Sequence, residues 1–294
     1  MNIREKLIHL HHCRGIGWKS IHAILKADPA LQNIYNWPGE DWRKFLPLSP
    51  IQHHQFFHDL HSIDIIALIK QYNNNQISCI TIMDEGYPSK LKSITDPPWV
   101  IYVKGNHSLL NDSPSLGVVG SRNPSSYGKD AIQLILPPLV QQGYVIVSGL
   151  ASGIDSLAHK MTLNGKGKTI GVLGGGLFHI YPKENIQLAD VMMKRGLVLS
   201  EAVPNRRAEA WMFPMRNRII SGLSNGVFII EAKRNSGSLI TAQYALEQGR
   251  DVFALPGNIT SELSEGTNKM IQDGAKLVME ASDISDEIFS LNYL

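Results

Sequence analysis

YVIVSGLASGIDSLAHKMTLNGKGKTIGVLGGG (Tyr144–Gly176) runs an apolar strand into a glycine-rich turn, then a helix-length stretch, then a second strand and a second glycine-rich turn. Two strands joined by a helix of that length make a right-handed crossover between parallel neighbours. The pattern continues in both directions. Upstream lie LGVVG and a helical stretch near Ser126–Gln142. Downstream come a helix near Glu184–Arg195, the strand LVLSE, a helix near Pro214–Leu223, the strand GVFIIEA, a helix near Ser238–Gln248 and the strand DVFALPG. The strands are near-continuous Val/Ile/Leu runs, the composition expected when helices cover both sheet faces. The chain therefore reads as α/β, with an extended Rossmann-like, doubly wound and mostly parallel sheet. Such sheets bind ligands at the carboxyl ends of their strands, where all the glycine-rich turns would gather.

Residues 1–75 read differently. Leu7, Leu10, Ile21, Ile24 and Leu25 fall at helical spacing around a break at Gly15-Ile16-Gly17, so a small helical domain is expected there. A polar stretch, Gln71 to Gln76, reads as a link to the α/β domain over residues 76–294, which opens with the strands SCITIMD (Ser78–Asp84) and WVIYVKG (Trp99–Gly105). The 294 residues carry a net charge of only +2, so any affinity for a polyanion has to be local. Cys13 and Cys79 sit in apolar surroundings and read as reduced structural thiols. No signal peptide or membrane-length apolar run is evident, which makes the cytoplasm the expected location, without membrane insertion. His54, His58 and His61 share helical spacing, but no cysteine or carboxylate cluster completes a shell, so no metal site is expected.

Glycine lets backbone amides approach an anion, and a helix N-terminus adds about half a positive charge. Four turns carry this potential, and four along one sheet edge suit a longer polyanion better than a single nucleotide. The turn after LGVVG offers Gly120, Ser121 and Arg122 as a phosphate clamp, the alternative being an Arg122 paired with a surface carboxylate. SGLASGID offers Ser148, Ser152 and the amides around Gly149 and Gly153. Its Asp155 and His159, at i and i+4, suit acid–base chemistry but read better as a capping aspartate and a hydrogen-bonded histidine. In GGGLFHIYPKEN, His179 stands where a dinucleotide fingerprint needs its last glycine, while Lys183 and Asn185 fall near a helix start as phosphate contacts. Gly167-Lys168-Thr169 precedes a strand and lacks the earlier glycine of a P-loop, which argues against ATP hydrolysis.

Arg216 and Arg218 lie just after Trp211 and Phe213, and interleaved cations and aromatics suit single-stranded nucleic acid, where bases stack and phosphates pair. Core packing is the alternative for both aromatics. Lys233, Arg234, Ser236 and Ser238 flank the next helix start as further phosphate contacts.

Taken in order, Gly120-Ser121-Arg122, SGLASGIDSLAH, GVLGGGLFHIYPKEN, FPMRNRIISGLS and EAKRNSGSLITAQYALEQGRDVFALPG resemble the DprA/Smf family of DNA-processing proteins over about residues 78–280. The resemblance implies a single-stranded-DNA-binding protein without catalytic residues or cofactors. It also implies a homodimer that protects incoming DNA, promotes annealing and loads the RecA recombinase during natural transformation, with single-strand-binding protein as a further partner. By motif position, Arg122 and Lys183 would lead the DNA contacts. The N-terminal region fits the SAM-like domain of the family, and CRGIGWKSIHAIL (Cys13–Leu25) is similar to a helix-hairpin-helix, whose Gly-Ile-Gly amides would either hold a phosphate or merely turn the chain. No C-terminal winged-helix module is expected. The stretch Ala242–Glu247 and the C-terminal segment are the candidate dimer or RecA surfaces. The alternative is an enzyme: the fold is also similar to lysine-decarboxylase-like phosphoribohydrolases, with Ser236-Gly237-Ser238 in the place of their phosphate turn.

Overall fold

In the computed structural model, residues 1–111 and 114–290 are described. Five helices come first: α1 (Ile3–His12), α2 (Trp18–Ala27), α3 (Gly39–Phe45), α4 (Pro50–Ser62) and α5 (Ile65–Asn74). Then follow β1 (Ser78–Thr81), α6 (Ser89–Lys92), β2 (Val100–Gly105), β3 (Ser115–Gly120), α7 (Ser126–Gln141), β4 (Val145–Ser148), α8 (Ile154–Asn164) and β5 (Lys168–Leu173). The chain continues through α9 (Ile186–Arg195), β6 (Leu197–Ser200), α10 (Met212–Gly222), β7 (Gly226–Ile230), α11 (Gly237–Glu247), β8 (Asp251–Ala254), α12 (Glu265–Gln272), β9 (Lys276–Leu277) and α13 (Ser282–Ser290). Two compact units result, one of Met1–Tyr87 with Asp96–Tyr102, the other of Pro88–Thr95 with the chain from Val103 onward.

In the first unit, capping boxes start α1 at Asn2 and α4 at Ser49. The polar stretch expected to link domains is mostly the end of α5, which runs to Asn74. The Gly15-Ile16-Gly17 turn packs against α4. Gly15 has φ +82, and a Cβ there would collide with the Gln52 carbonyl on α4. The Arg14 amide donates to Asp59 (2.9 Å), whose carboxylate also receives the Arg14 guanidinium at 2.8 and 2.7 Å. His54, His58 and His61 are exposed, and among the described residues no group of three or more metal-ligating side chains converges. Burial pushes both thiols up, Cys79 to about 11, as suits inert structural cysteines.

In the second unit, seven strands run in the order β6-β5-β4-β3-β7-β8-β9, and all their pairings are parallel. Alternate residues of β3 face opposite layers. Leu116 and Val118 join Ile132, Ile135 and Leu136 of α7 in the core, whereas Gly117 faces Ile220 of α10. Each fully buried Leu or Ile in such a layer contributes roughly 1.5–3 kcal/mol. Helices on both faces leave no room for polar alternation, which is why the strands read as unbroken apolar runs. Strand order reverses between β3 and β7, so that edge is the topological switch point. Among the described residues no helix is long and apolar enough to cross a membrane.

The Asp59 clasp carries a pH signature. Hydrogen bonds from the Arg14 side chain hold the Asp59 carboxyl at about 2, below its ordinary 3.8. A depressed carboxyl stabilises the folded state above its unfolded pKa, and that contribution disappears as pH falls from about 4 to about 2. We expect the helical unit to lose stability across that window in urea titrations, and Asp59→Ala to flatten the dependence.

Candidate nucleic-acid interface

The strand order sets four segments side by side along one edge of the second unit. They leave the carboxyl ends of β5, β4, β3 and β7, which are consecutive neighbours. With strands about 4.8 Å apart, three steps from β5 to β7 cover about 14 Å. At the switch point between β3 and β7 opens a cleft of about 830 Å³, lined by Arg122, Lys233, Arg234 and Ser236 and also by Glu262 and Glu265.

Arg122 is presented by a tightly held turn. The Ser121 amide donates to the Ile230 carbonyl (3.3 Å), and the Ser121 carbonyl accepts from the Ile154 amide (3.1 Å) at the start of α8. Gly153 makes this approach feasible: its φ is +77, and a Cβ would collide with the Ser121 and Arg122 carbonyls. The Arg122 side chain is exposed and makes no hydrogen bond or ion pair within the described residues. Lys183 is presented in a similar way. Ser152 Oγ donates to Glu184 (2.5 Å), and the Asn185 carboxamide donates to the Leu150 (2.9 Å) and Ala151 (3.2 Å) carbonyls. These bonds fasten the 183–185 turn to the turn after β4, while Lys183 itself stays exposed, without a partner among the described residues.

Several residues expected to meet phosphate are instead turned inward. Ser148 is buried and donates to the Val118 carbonyl (2.6 Å). The Gly149 and Ala151 amides, expected to be open to an anion, donate to the Asp155 carboxylate at 3.1 and 3.4 Å. Asn185 is buried as a brace. Arg216 is buried and donates to the Val172 carbonyl (2.7 Å), with its guanidinium so close to Gly149 that no Cβ would fit there. Arg218 is buried against Glu201 (2.8 Å). Both arginines lie on the inner side of α10, where the basic string RNR gave no sign of direction. Burial pushes the Asp155 carboxyl up, opposed by the Arg216 charge and the two amides. Burial likewise pulls Arg216 down to about 10, opposed by Asp155. His159 bonds Thr169 (2.6 Å) and is held near 3 by burial and then by Arg216, so it is neutral and internal.

At the β5 and β6 end the surface turns aromatic. Trp211 is exposed and stands under the Arg206 guanidinium (5.3 Å). Phe213 is half-buried beside exposed Tyr181, with ring centroids 5.6 Å apart. Tyr181, Arg206 and the exposed Arg207 were not picked from the sequence, although the Arg206-Arg207 pair four residues before Trp211 was a visible signal. At the other end Lys233 pairs with Glu262 (2.6 Å) across the cleft, and Arg234 is exposed without a partner among the described residues. Ser236 caps α11 by accepting from the Ser238 amide (3.3 Å).

A family model described as DNA recombination-mediator protein A matches residues 78–289. The chain is 44% identical over 271 residues to the DNA processing protein DprA of Bacillus subtilis (strain 168), covering 92% of this chain and 88% of that protein. The X-ray structure of DprA from Streptococcus pneumoniae aligns with a TM-score of 0.85 at 38% identity, over 98% of this chain and 99% of that one. A structure concerned with the single-stranded DNA binding mode of DNA processing protein A from Helicobacter pylori aligns with a TM-score of 0.65 at 30% identity. It covers 74% of this chain and 96% of that one.

The inward and outward arginines should separate by substitution. Arg216→Ala would remove a buried guanidinium, its hydrogen bond to the Val172 carbonyl and its favourable charge on Asp155, a loss of roughly 1.5–3 kcal/mol, read as a clear drop in Tm. Arg122→Ala, at an exposed side chain without a partner among the described residues, should leave stability within about 0.5 kcal/mol of wild type and Tm nearly unchanged.

Proposed function

We propose, from the premise that the chain belongs to the DNA recombination-mediator protein A family, that it binds single-stranded DNA along the carboxyl edge of its parallel sheet. The observation that carries this reading is the placement of Lys183, Arg122 and Arg234 after β5, β3 and β7, within one run of four neighbouring strands, with aromatic side chains at one end. Exposed cations without internal partners are free to exchange counterions for phosphates. Tyr181, Phe213 and Trp211 supply faces for base stacking, typically worth about 1–3 kcal/mol per base. Because the Gly149 and Ala151 amides are already engaged by Asp155, affinity rests mainly on side-chain charge and falls steeply with salt. A duplex hides its bases and should bind less well.

We further propose that the protein acts by binding and not by catalysis. Asp155 and His159, the pair with acid–base spacing, are buried in structural hydrogen bonds, which supports this reading over a phosphoribohydrolase. The proposed role follows the family: protection and annealing of incoming DNA in the cytoplasm and loading of RecA by a homodimer, with single-strand-binding protein as a further partner. α11, with Leu246 exposed, is one candidate surface for the second copy or RecA. The other is the C-terminal segment, of which residues 291–294 lie outside the described residues.

The test is fluorescence anisotropy of a labelled single-stranded oligonucleotide over a salt series. Arg122→Ala/Lys183→Ala should weaken binding at least about tenfold, or 1.4 kcal/mol, and reduce the salt slope by about 1 per lost phosphate contact. Unlabelled duplex should compete poorly. Absence of binding at low salt, or release of free base from a nucleoside monophosphate, would overturn the reading. RecA loading is checked by RecA filament formation on oligonucleotide precoated with single-strand-binding protein, which the wild type should accelerate and the double variant should not.

A further inference from the structure

Glu262, which lines the cleft at the switch point, and Glu231, at the end of β7 beside it, have surroundings that give them opposite roles. Glu262 is exposed and pairs with Lys233 at 2.6 Å. Glu231 is buried at the carboxyl end of β7, next to the loop that carries Lys233 and Arg234. Its backbone occupies the left-handed region (φ +55), an uncommon conformation for a residue with a side chain. Its carboxylate accepts from the Ser125 amide (2.9 Å) and from the Ser125 hydroxyl, at the N-cap of α7. Gly128 leaves room for it, since a Cβ there would collide with Oε2. The positive end of α7 is thus filled by the protein's own anion. The same side chain joins the two loops of the cleft, one bearing Arg122 and the other bearing Lys233 and Arg234.

We propose that Glu231 is a positioning residue for single-stranded DNA: its carboxylate fixes the Arg122 turn against the Lys233–Arg234 loop, so that their cations meet neighbouring phosphates. This inference rests on the binding reading above and adds to it a residue of the wrong charge for direct contact with DNA. That charge supplies the discriminating sign. If Glu231 mattered only as a negative charge near a polyanion, removing the charge would tighten binding. If it positions the loops, the same change weakens binding. Glu262 provides the internal comparison, because it competes with phosphate for Lys233 and holds no turn in place.

The experiment measures oligonucleotide affinity for wild type, Glu231→Gln, Ser125→Ala and Glu262→Gln, each with and without Arg122→Ala, with Tm recorded for every variant. Binding by the wild type tests the underlying reading, and the variants test the inference. Glu231→Gln and Ser125→Ala should each weaken binding, Glu231→Gln by about tenfold, or 1.4 kcal/mol. The Arg122→Ala penalty should shrink in both backgrounds, because a misplaced arginine has less to lose. Glu262→Gln should tighten binding a few-fold and leave the Arg122→Ala penalty unchanged. Should Glu231→Gln not fold, Ser125→Ala, which removes the hydroxyl partner and the cap on the Gly128 amide but keeps the Ser125 amide bond to Glu231, carries the test by itself. Unchanged or tighter binding in the folded Glu231→Gln or Ser125→Ala variants, or weakening that simply adds to that of Arg122→Ala, would overturn the inference.

Discussion

The interface depends on a constraint that lies beneath it: the Asp155 carboxylate, buried where the sheet ends, has to be satisfied. It gathers the Gly149 and Ala151 amides and faces the buried Arg216 charge. A carboxylate in that position is costly without donors and a counter-charge. Meeting both requirements fixes the turn after β4. That turn then fixes its neighbours, through Gly153 to the Arg122 turn and through Ser152 and Asn185 to the Lys183 turn. The backbone becomes a rigid frame, and recognition passes to the few side chains that reach beyond it.

This division of labour explains what was legible in the chain. The period of two strands and a helix between Tyr144 and Gly176 carried the architecture, because apolar runs and glycine turns are local signals. The helix expected near Ser126–Gln142 appears as Ser126–Gln141, and the helix-length stretch between the two strands is α8, Ile154–Asn164. The exposed placement of Arg122 and Lys183 follows from local signals: Arg122 stands two positions after the end of β3, and Lys183 directly follows Pro182 at the start of a helical turn. Arg216 and Arg218 were misread: a charge string on a helix does not announce its face until the opposite wall is known, and here that wall holds Glu201 and the Val172 carbonyl. Asn185 misled for the same reason, since its partners lie more than thirty positions away.

The glycine-rich turns deserve a second physical reading. Such turns are commonly associated with anions because their amides are accessible. In this chain the anions are largely internal: Asp155 at one turn and Glu231 at the start of α7. Space left by missing Cβ atoms serves those carboxylates and the Arg216 guanidinium, as Gly128 and Gly149 show. The turn glycines are therefore explained by the architecture first, and the electrostatics of the outer surface is left to exposed lysine and arginine.

The parallel topology also bears on modularity. Arg122, Ser152, Lys183 and Arg234 stand along one edge, yet they come from four crossovers separated by whole helices. No contiguous peptide contains the interface, and no single loop can be moved to another scaffold with its geometry intact. A surface assembled this way exists only when the entire sheet has closed in register. Partly folded chains would have the charges without their alignment, which is complete only once β5, β4, β3 and β7 have all paired.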